Sequence, residues 1–272
     1  MLPQPLRLRK LTDDIPRLFS IQHADYDKPV TRNATQLGLG LIGIGKPWGH
    51  APKPVPSDRE AHALLEYAFD LGIRYFDTAP SYGDGVSEIR LGRFAKSLAA
   101  EVTIATKMGE HWDAAANEPY ADHAYDALRR SLDRSIDRLG RIDILQLHKT
   151  TPAALASDDV SRAWEYARSL GITRIGPSAS DLESARCALA DPRFSVLQVP
   201  YNSTNTTFAD IFDAAATRGI HAVVNRPLAM GALATAGNRA AFDFVRARRP
   251  AVILTGTISP AHLRANCEAF LA

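Results

Sequence analysis

The chain has 272 residues, of which 46% are hydrophobic and 23% are charged, and its formal net charge is +2. These values favour an ordinary globular protein, and the lack of long basic runs excludes nucleic acid as the expected partner. No uninterrupted apolar stretch approaches the roughly 20 residues that cross a bilayer, and the N-terminus lacks a secretory apolar segment, so we expect a cytoplasmic protein without a membrane partner.

Strands and helices are predicted to alternate from residue 37 to the C-terminus. Ser57 is the expected N-cap of the first helix, with Glu60 as its capping-box partner and Gly72 as its C-terminal stop. Apolar runs predict buried strands over 37–44, 73–76, 102–106, 142–147, 172–176, 195–199, 220–224 and 251–254. Helical patterns cover 57–71, 87–99, 122–139, 158–170, 181–190, 208–218, 238–248 and 260–271.

Eight strands that alternate with eight helices imply parallel pairing. They favour a closed (β/α)8 TIM barrel over an open doubly wound sheet. No G-x-G-x-x-G joins a strand to a helix, which counts against a Rossmann domain. We expect residues 37–272 to form a single barrel domain. Residues 1–36 lie outside the repeat, and they either cap the bottom of the barrel or form a partly mobile arm.

Four chemically useful side chains follow the predicted strands. Asp77, Lys107 and His148 each come directly after a strand, and Tyr82 lies on the loop that follows Asp77. In a barrel of parallel strands the carboxyl ends open onto one face, where active sites are assembled. Taken singly, each residue has a structural alternative, such as a turn cap, a salt-bridge partner or a packed ring. Together, on successive strand ends, they predict one active site.

These four side chains suit the reduction of a carbonyl group or the oxidation of an alcohol. We expect the Lys107 ammonium to lower the pKa of the Tyr82 phenol, while Asp77 holds the ammonium in place. His148 is expected to donate a hydrogen bond to the substrate oxygen that Tyr82 protonates. The set supplies no nucleophile for acyl transfer and no metal site. The electrons would therefore come from a cofactor such as a nicotinamide.

Several motifs in chain order carry a resemblance to a known family. They are Phe76-Asp77-Thr78-Ala79-Pro80-Ser81-Tyr82-Gly83, Ser87-Glu88-Ile89-Arg90-Leu91-Gly92, Ala105-Thr106-Lys107, Ser131-Leu132-Asp133-Arg134 and Ile142-Asp143-Ile144-Leu145-Gln146-Leu147-His148. From about residue 37 onward the chain resembles the aldo-keto reductases. The resemblance implies a TIM barrel that uses NADPH, or sometimes NADH, to reduce aldehydes and ketones or to oxidise the alcohols. It implies Tyr82 as the general acid/base, tuned by Lys107 and Asp77, with His148 orienting the carbonyl.

The resemblance also implies which residues hold the nicotinamide and the pyrophosphate. Gly45 and Lys46 match the family's first loop beneath these groups, and Gln198 matches the residue that bonds the carboxamide. The loop along the pyrophosphate matches Arg226, Pro227, Leu228, Ala229 and Gly231. Nicotinamide binding is therefore expected at the mouth of the barrel.

Two departures from the family pattern change the expected nicotinamide contacts. The usual G-V-S-N is replaced here by Gly-Pro-Ser-Ala, so Ser178 is kept while Ala179 loses one amide contact. Asn225 stands where an aromatic ring often stacks on the nicotinamide. The neighbouring Arg226 offers a guanidinium plane as a partial substitute.

The last strand-helix unit resembles the family's adenosine phosphate site, where a lysine or arginine usually holds the 2′-phosphate. Gly256, Ile258 and His262 occupy positions where basic residues are common, which weakens NADP preference. Arg264 and the helix N-terminus remain to bind phosphate. The expected contacts of this unit come from Gly256, Thr257, Ser259, His262 and Asn266. We expect NADP(H) on family grounds and keep NAD(H) as the alternative.

The substrate is expected to be a small carbonyl or alcohol. Trp48 and Trp112 are candidate pocket walls beside Tyr82 and His148, although tryptophan is as often mere packing. Lys149 follows the histidine where the family often has a pocket residue, and a cation there favours a polar or anionic substrate. The sequence does not identify the substrate further.

Two other functions are kept as alternatives to the enzyme. One is a dinucleotide-binding sensor or interaction subunit with low turnover, and the other is a barrel with lyase or isomerase chemistry. Either a monomer or a weak homo-oligomer is compatible with the sequence. Cys187 and Cys267 lack zinc-ligand spacing, so we expect buried, reduced thiols and no metal.

Overall fold

The computed structural model of the protein describes residues 35–96, 101–113, 115–234 and 238–272. Residues 1–34, nearly all of the expected extension, lie outside the described residues. The strands in chain order are β1 Gln36–Gly40, β2 Tyr75–Asp77, β3 Thr103–Met108, β4 Glu110–Asp113, β5 Glu118–Ala121, β6 Ile144–Leu147, β7 Ile175–Pro177, β8 Val196–Pro200, β9 His221–Asn225 and β10 Val252–Thr255. The helices are α1 Asp58–Asp70, α2 Val86–Ala95, α3 Tyr125–Leu139, α4 Pro152–Leu155, α5 Asp158–Ser169, α6 Leu182–Ala190, α7 Ile211–Thr217, α8 Asn238–Arg246 and α9 Pro260–Leu271.

Eight parallel strands of the described chain form one sheet, in the order β7-β6-β3-β2-β1-β10-β9-β8. Backbone hydrogen bonds join the two end strands, from Ser195 N to Ile175 O at 3.0 Å and from Ala179 N to Gln198 O at 2.9 Å. These bonds bring the sheet round into a nearly closed barrel, and helices surround it. The predicted (β/α)8 TIM barrel is confirmed.

The first strand and the loop after β3 differ from the prediction. The strand expected over 37–44 ends at Gly40, and a 3-10 turn over Ile42–Ile44 follows it. Glycines at alternate positions weaken a strand, and the turn instead satisfies its own backbone through Gly45 N and Ile42 O at 3.1 Å. The segment expected as a long loop contains an antiparallel hairpin of β4 and β5. Lys107, placed after its strand by the prediction, lies inside β3.

The helix predictions are confirmed apart from their ends. Ser57 accepts a hydrogen bond from Glu60 N, the capping box is present, and Gly72 has a φ of 91° after α1. The short α4 was not predicted, because four residues do not show a helical period. The helices that fall short of the prediction by two residues or more at one end are α2, which ends at Ala95, α3, which begins at Tyr125, α7, which begins at Ile211, and α8, which ends at Arg246. Residues 97–100, which the prediction included in α2 up to residue 99, lie outside the described part of the chain.

The interior of the barrel has an apolar layer with a polar layer above it. The apolar layer is one buried cluster that includes Tyr75, Ala105, Ile144, Val196 and Val223. Side chains alternate along a strand, so the residue two positions later in each strand faces the same side. These residues are Asp77, Lys107, Gln146, Gln198 and Asn225. The chemically useful side chains therefore form one ring at the carboxyl end of the barrel.

Gly176 allows β7 and β8 to approach where the barrel closes. A Cβ atom at this position would overlap the carbonyl oxygen of Val196. We expect Gly176→Ala to lower the free energy of unfolding by about 3 kcal/mol, because the atoms that the Cβ would meet belong to the Val196 backbone and cannot rotate away. Urea denaturation measures this loss. The control is Gly40→Ala, where a Cβ atom would lie 3.5 Å from Thr255 O at ordinary contact distance; equal losses in the two variants would contradict the argument.

Other sequence-based expectations concern membranes, metals and thiols. No helix in the described ranges is long and apolar enough to cross a membrane. The same residues contain no group of three or more histidine, cysteine, aspartate or glutamate side chains arranged to hold a metal. Both cysteines are free thiols, but only Cys267 is buried, whereas Cys187 is partly exposed.

Candidate active site

Asp77, Lys107 and Tyr82 meet at the carboxyl end of the barrel. The Lys107 ammonium donates to Asp77 Oδ1 at 2.6 Å and to the Thr78 carbonyl oxygen at 2.8 Å. Its third contact is the Tyr82 hydroxyl, 3.4 Å away. Asp77 and Lys107 are buried, while Tyr82 is half-buried at the mouth. A single amine therefore links a buried carboxylate to a phenol at the edge of the pocket.

The pKa values of this group follow from burial and charge. Burial raises the pKa of Tyr82 above its ordinary value, and the Lys107 ammonium opposes this without cancelling it. The ammonium therefore acts on the pKa of Tyr82 in the direction expected from the sequence, but burial has the larger effect. Burial lowers the pKa of Lys107, but Asp77 and Tyr82 outweigh it and hold that pKa above its ordinary value. At neutral pH the pair is an ammonium beside a protonated phenol.

A chain of amides fixes the second oxygen of Asp77. Gln198 donates to Asp77 Oδ2 at 3.0 Å, and Gln146 donates to the same atom at 3.3 Å. The Gln198 carbonyl oxygen accepts from Ser178 Oγ at 2.9 Å and from Asn225 Nδ2 at 3.2 Å. Ser178, Gln198 and Asn225, all expected near the nicotinamide, thus lie together beside the carboxylate. Gln146 was not predicted, although it lies two residues before His148, where strand alternation points to the barrel interior.

His148 lies next to Tyr82 and against a carboxylate that the sequence argument missed. The rings of His148 and Tyr82 meet edge to face with centroids 6.3 Å apart. His148 Nδ1 lies 3.0 Å from Oε2 of Glu110, an ion-pair distance although the geometry falls short of a well-aligned hydrogen bond. Burial lowers the pKa of His148, and this outweighs the opposing effect of Glu110. The imidazole is therefore neutral at physiological pH.

Glu110 is a buried carboxylate with three polar neighbours. Its other oxygen, Oε1, lies 3.0 Å from the Lys149 ammonium, and Ser81 Oγ donates to Oε2. Burial raises the pKa of Glu110, but His148, Ser81 and Lys149 outweigh burial and hold that pKa well below its ordinary value. Lys149, expected in the substrate pocket, therefore pairs with Glu110. No period or motif marks Glu110, because it begins the unpredicted hairpin.

Gly45 lies in direct backbone contact with the loop that carries Tyr82. A Cβ atom at Gly45 would overlap the Tyr82 carbonyl oxygen, and one at Gly83 would overlap the Gly45 carbonyl oxygen. Gly83 also has a φ of 69°, which favours glycine. The two glycines bring the β1 loop and the Tyr82 loop together, so Gly45 sets the position of the phenol in addition to its expected place near the cofactor.

Two cation-aromatic pairs join the loop after β1 to the hairpin of β4 and β5 and to the loop after β9. The Lys46 ammonium is 5.6 Å from the centre of the Trp112 ring, and the Arg226 guanidinium is 6.0 Å from the centre of the Trp48 ring. Burial lowers the pKa of Lys46, which Glu110 opposes. Trp48 is 43% exposed. The flat guanidinium of Arg226 was expected to substitute partly for an aromatic ring that stacks on the nicotinamide. In the structure this guanidinium faces the ring of Trp48.

The loop after β9 has an unusual backbone. Arg226, Ala229 and Met230 have φ values of 55°, 47° and 59°, in the left-handed region that costs energy for residues other than glycine. Pro227 is buried, Leu228 packs against the core, and Gly231 is exposed. The loop is tied to the β1 loop by a hydrogen bond of 2.9 Å from His50 N to Met230 O. Strain of this kind is common at binding loops.

Most residues of the expected adenosine phosphate site lie at the start of α9. Ser259 is the N-cap and accepts a hydrogen bond from His262 N at 3.4 Å, and Thr257 Oγ1 accepts from Ser259 N at 3.1 Å. Gly256 and His262 are exposed. Arg264, the nearest arginine in this helix, donates to Glu268 at 2.9 Å.

Asn266, the remaining expected contact of this unit, is buried and hydrogen-bonded on both sides of its amide. It is 3% exposed, and its amide nitrogen donates to Thr255 Oγ1 at 2.7 Å. Its carbonyl oxygen accepts from Asn238 Nδ2. Both ends of the amide therefore join α9 to β10 and α8.

Comparisons with known proteins place the chain in a family. Residues 36–250 match the model of the Aldo/keto reductase family. The chain belongs to the aldo/keto reductase family. Among curated relatives, L-galactose dehydrogenase of Arabidopsis thaliana is 30% identical over 75% of this chain, and D-threo-aldose 1-dehydrogenase of Pseudomonas sp is 33% identical over 65%. The chain covers 66% of the length of each of these two relatives, just under two-thirds.

Solved structures of aldo/keto reductases share the fold. PA4992, a provisionally assigned aldo-keto reductase from Pseudomonas aeruginosa, is 30% identical with a TM-score of 0.75, and the match covers 86% of this chain and 89% of that one. AKR11C1 from Bacillus halodurans in its holo form is 20% identical with a TM-score of 0.74, covering 87% and 86%. At that identity the second match supports the fold alone.

Other residues of the motifs shared with the family support the site from behind. Ser87 Oγ donates to the Leu41 carbonyl oxygen at 3.0 Å. Buried Glu88 accepts from Thr106 Oγ1 at 2.6 Å and from Arg138 at 3.0 Å. These bonds attach α2 to β3 and to α3. Motif residues that are outside the pocket therefore hold the strand that carries Lys107.

Proposed function

We propose that the protein is a nicotinamide-dependent oxidoreductase that interconverts a small carbonyl compound and the corresponding alcohol. The observation that carries the proposal is the Lys107 ammonium, 2.6 Å from Asp77 and 3.4 Å from the Tyr82 hydroxyl. A protonated phenol held beside an ammonium can give its proton to a carbonyl oxygen and remain as a stabilised phenolate. Membership of the aldo/keto reductase family supports the same reaction.

The residues beside Asp77 fit a nicotinamide carboxamide. Asn225 Oδ1 is buried without a hydrogen-bond partner in the described part of the chain, and Gln198 and Ser178 adjoin it. A carboxamide supplies one N–H donor for this oxygen and a second N–H donor for the oxygen of Ser178, whose own proton goes to Gln198. The neighbouring residues in this proposal are Gly45, Lys46, Arg226, Pro227, Leu228 and Gly231. When bound, the nicotinamide supplies or accepts the hydride.

The chain's own residues manage the proton and the charge. In reduction, Tyr82 donates its hydroxyl proton to the oxygen that becomes the alcohol. Lys107 holds a positive charge beside the phenolate that remains, which lowers the energy of that charge in a buried site. Asp77 holds Lys107 in place, and its own second oxygen is fixed by amide donors. Trp48, Trp112, His148 and Lys149 border the pocket in this proposal.

The cofactor is proposed to be NADP(H), with NAD(H) as the alternative and with weak discrimination between them. Among the described residues 256–262 there is no lysine or arginine, and Arg264 is already paired with Glu268. Each lost charge-assisted hydrogen bond to a phosphate costs about 1.5–3 kcal/mol. We therefore expect NADPH to bind only about tenfold more tightly than NADH. Fluorescence titration gives both Kd values, and a preference above about 100-fold would contradict this account.

The same titration, followed by assays, tests the function itself. The protein is titrated with NADPH and NADH, and absorbance at the nicotinamide band is then followed with a panel of aldehydes and ketones. Binding followed by turnover supports the enzyme. Binding with no turnover of any substrate would favour the sensor alternative, and failure to bind either dinucleotide would remove the hydride mechanism.

A further inference from the structure

The loop after β9 begins with a residue in an unfavourable backbone conformation. Arg226 has a φ of 55°, in the left-handed region where a Cβ atom comes too close to the following carbonyl oxygen. A residue keeps such a conformation only where the contacts around it determine it. The contacts made by the Arg226 main chain therefore decide where this loop lies.

Asn202, just past the end of β8, makes one of these contacts. Its side-chain nitrogen donates to the Arg226 carbonyl oxygen at 2.9 Å, and the same oxygen accepts from Ala229 N at 3.0 Å. A carbonyl oxygen has two lone pairs, so these two donors satisfy it fully. The bond from Ala229 lies within the loop, whereas the bond from Asn202 joins the loop to a different strand. Asn202 is also 4% exposed, so water does not readily replace it.

The amide of Asn202 is itself held in one orientation. Its oxygen accepts from Thr204 N at 3.0 Å and from Thr204 Oγ1 at 2.7 Å. The main chain of Asn202 exchanges hydrogen bonds of 3.2 and 3.0 Å with that of Asn205. A backbone N–H only donates and a backbone carbonyl only accepts, so the amide nitrogen must face Arg226. Asn202 is thus a fixed donor directed at the loop after β9.

The turn at Arg226 separates two side chains that face opposite ways. Asn225 faces inward and donates to Gln198 at 3.2 Å, beside the proposed carboxamide site. The Arg226 guanidinium lies outward, 6.0 Å from the centre of the Trp48 ring. The loop then continues through residues 227–231, which are proposed to follow the pyrophosphate. The backbone conformation of Arg226 therefore affects both parts of the proposed cofactor site.

We propose that Asn202 is a positioning residue of the dinucleotide site, whose side chain holds the Arg226 main chain and so places the loop of residues 226–231 for the cofactor. Asn202 is not among the proposed cofactor contacts and acts through Arg226. Its role rests on the proposed function, because the loop is assigned to the pyrophosphate there. NADPH and NADH share the pyrophosphate, so both cofactors should depend on Asn202 equally.

Asn202→Asp removes the donor while keeping the shape of the side chain. One carboxylate oxygen still accepts from Thr204, and the other faces the Arg226 carbonyl oxygen without a hydrogen to offer. We expect the Kd values of NADPH and NADH to rise equally, by about tenfold. At saturating cofactor, kcat should stay within about threefold of the parent, because the Tyr82 and Lys107 contacts lie on other strands. Fluorescence titration and steady-state kinetics measure these values, and unchanged Kd values overturn the proposal.

Thr204→Ala is the matched control. Thr204 is exposed, and the substitution removes its hydroxyl bond to Asn202 while leaving the backbone bond from Thr204 N and the donor to Arg226. Both Kd values should stay within about twofold of the parent. A loss as large as that of Asn202→Asp would show that the turn merely supports the fold, and it would overturn the proposal.

NMR reports the position of Arg226 without any cofactor. The chain has three tryptophans, so protein labelled with 5-fluorotryptophan gives three 19F signals, and a Trp48→Phe variant identifies that of Trp48. In Asn202→Asp we expect the Trp48 signal to shift or broaden as the guanidinium leaves its place, while the signal of buried Trp164 stays unchanged. Asn202→Ala, which removes the donor without adding a charge, should give the same change. A Trp48 signal that is unchanged in both variants overturns the proposal.

The titrations separate failure of this role from failure of the proposed function. If the parent protein binds neither NADPH nor NADH, the proposed function fails, and the role of Asn202 fails with it. If the parent protein binds both and Asn202→Asp binds them equally well, the role of Asn202 fails alone.

Discussion

A Tyr82→Phe variant is expected to lose about 10³-fold in kcat for carbonyl reduction, while its affinity for NADPH stays within about threefold. The hydroxyl lies 3.4 Å from the Lys107 ammonium and is the group proposed to protonate the substrate oxygen. Phenylalanine keeps the ring, which meets His148 edge to face, and removes only the proton donor. Steady-state kinetics with a fluorescence titration separates the two effects.

The pH profile gives an independent check on Tyr82. Burial raises the pKa of Tyr82 above its ordinary value of about 10 and Lys107 opposes this, so the phenol keeps its proton through the neutral range. Reduction should therefore stay constant up to about pH 9 and fall only as pH rises through the raised pKa. Tyr82→Phe should retain only the small residual rate without this fall. An unchanged rate in the variant would show that the proton comes from another group.

The barrel could be predicted because its sequence signals are local. Short apolar runs separated by amphipathic segments repeat eight times, and parallel pairing follows from that alternation. The position of Asp77 at the end of β2 and of His148 just after β6 then places both at the same mouth. The sequence was sufficient to place these two residues, because the fold alone determines at which end of the barrel each strand ends.

The parts that could not be predicted depend on packing between distant segments. Glu110 begins a hairpin whose strands have no clear period, and its contact with His148 joins segments 38 positions apart along the chain, the difference between residues 148 and 110. The raised pKa of Tyr82 depends on how closely other loops cover the ring. Asn266 lies in the helix that the resemblance indicated, but its side chain turns inward to Thr255. Side-chain direction is decided by packing that the sequence does not show.

A Lys107→Met variant is expected to lose about 10³-fold in kcat, with NADPH affinity within about threefold of the parent. Methionine has nearly the length of lysine but no charge, so the phenolate left after proton transfer loses its stabilising neighbour. The proposed cofactor contacts at Gln198 and Ser178 do not involve the amine. A nearly normal rate in this variant would show that the phenol needs no ammonium beside it.

The same substitution should also destabilise the fold, and a double variant separates this from catalysis. Lys107→Met leaves the buried carboxylate of Asp77 without its cation, which costs about 3–5 kcal/mol in the free energy of unfolding. Asp77→Asn combined with Lys107→Met removes both charges and should recover most of that stability, because the amide still accepts from Gln198 or Gln146. Its kcat should stay low. If turnover returned together with stability, the ammonium would be needed for folding and not for the chemistry at Tyr82.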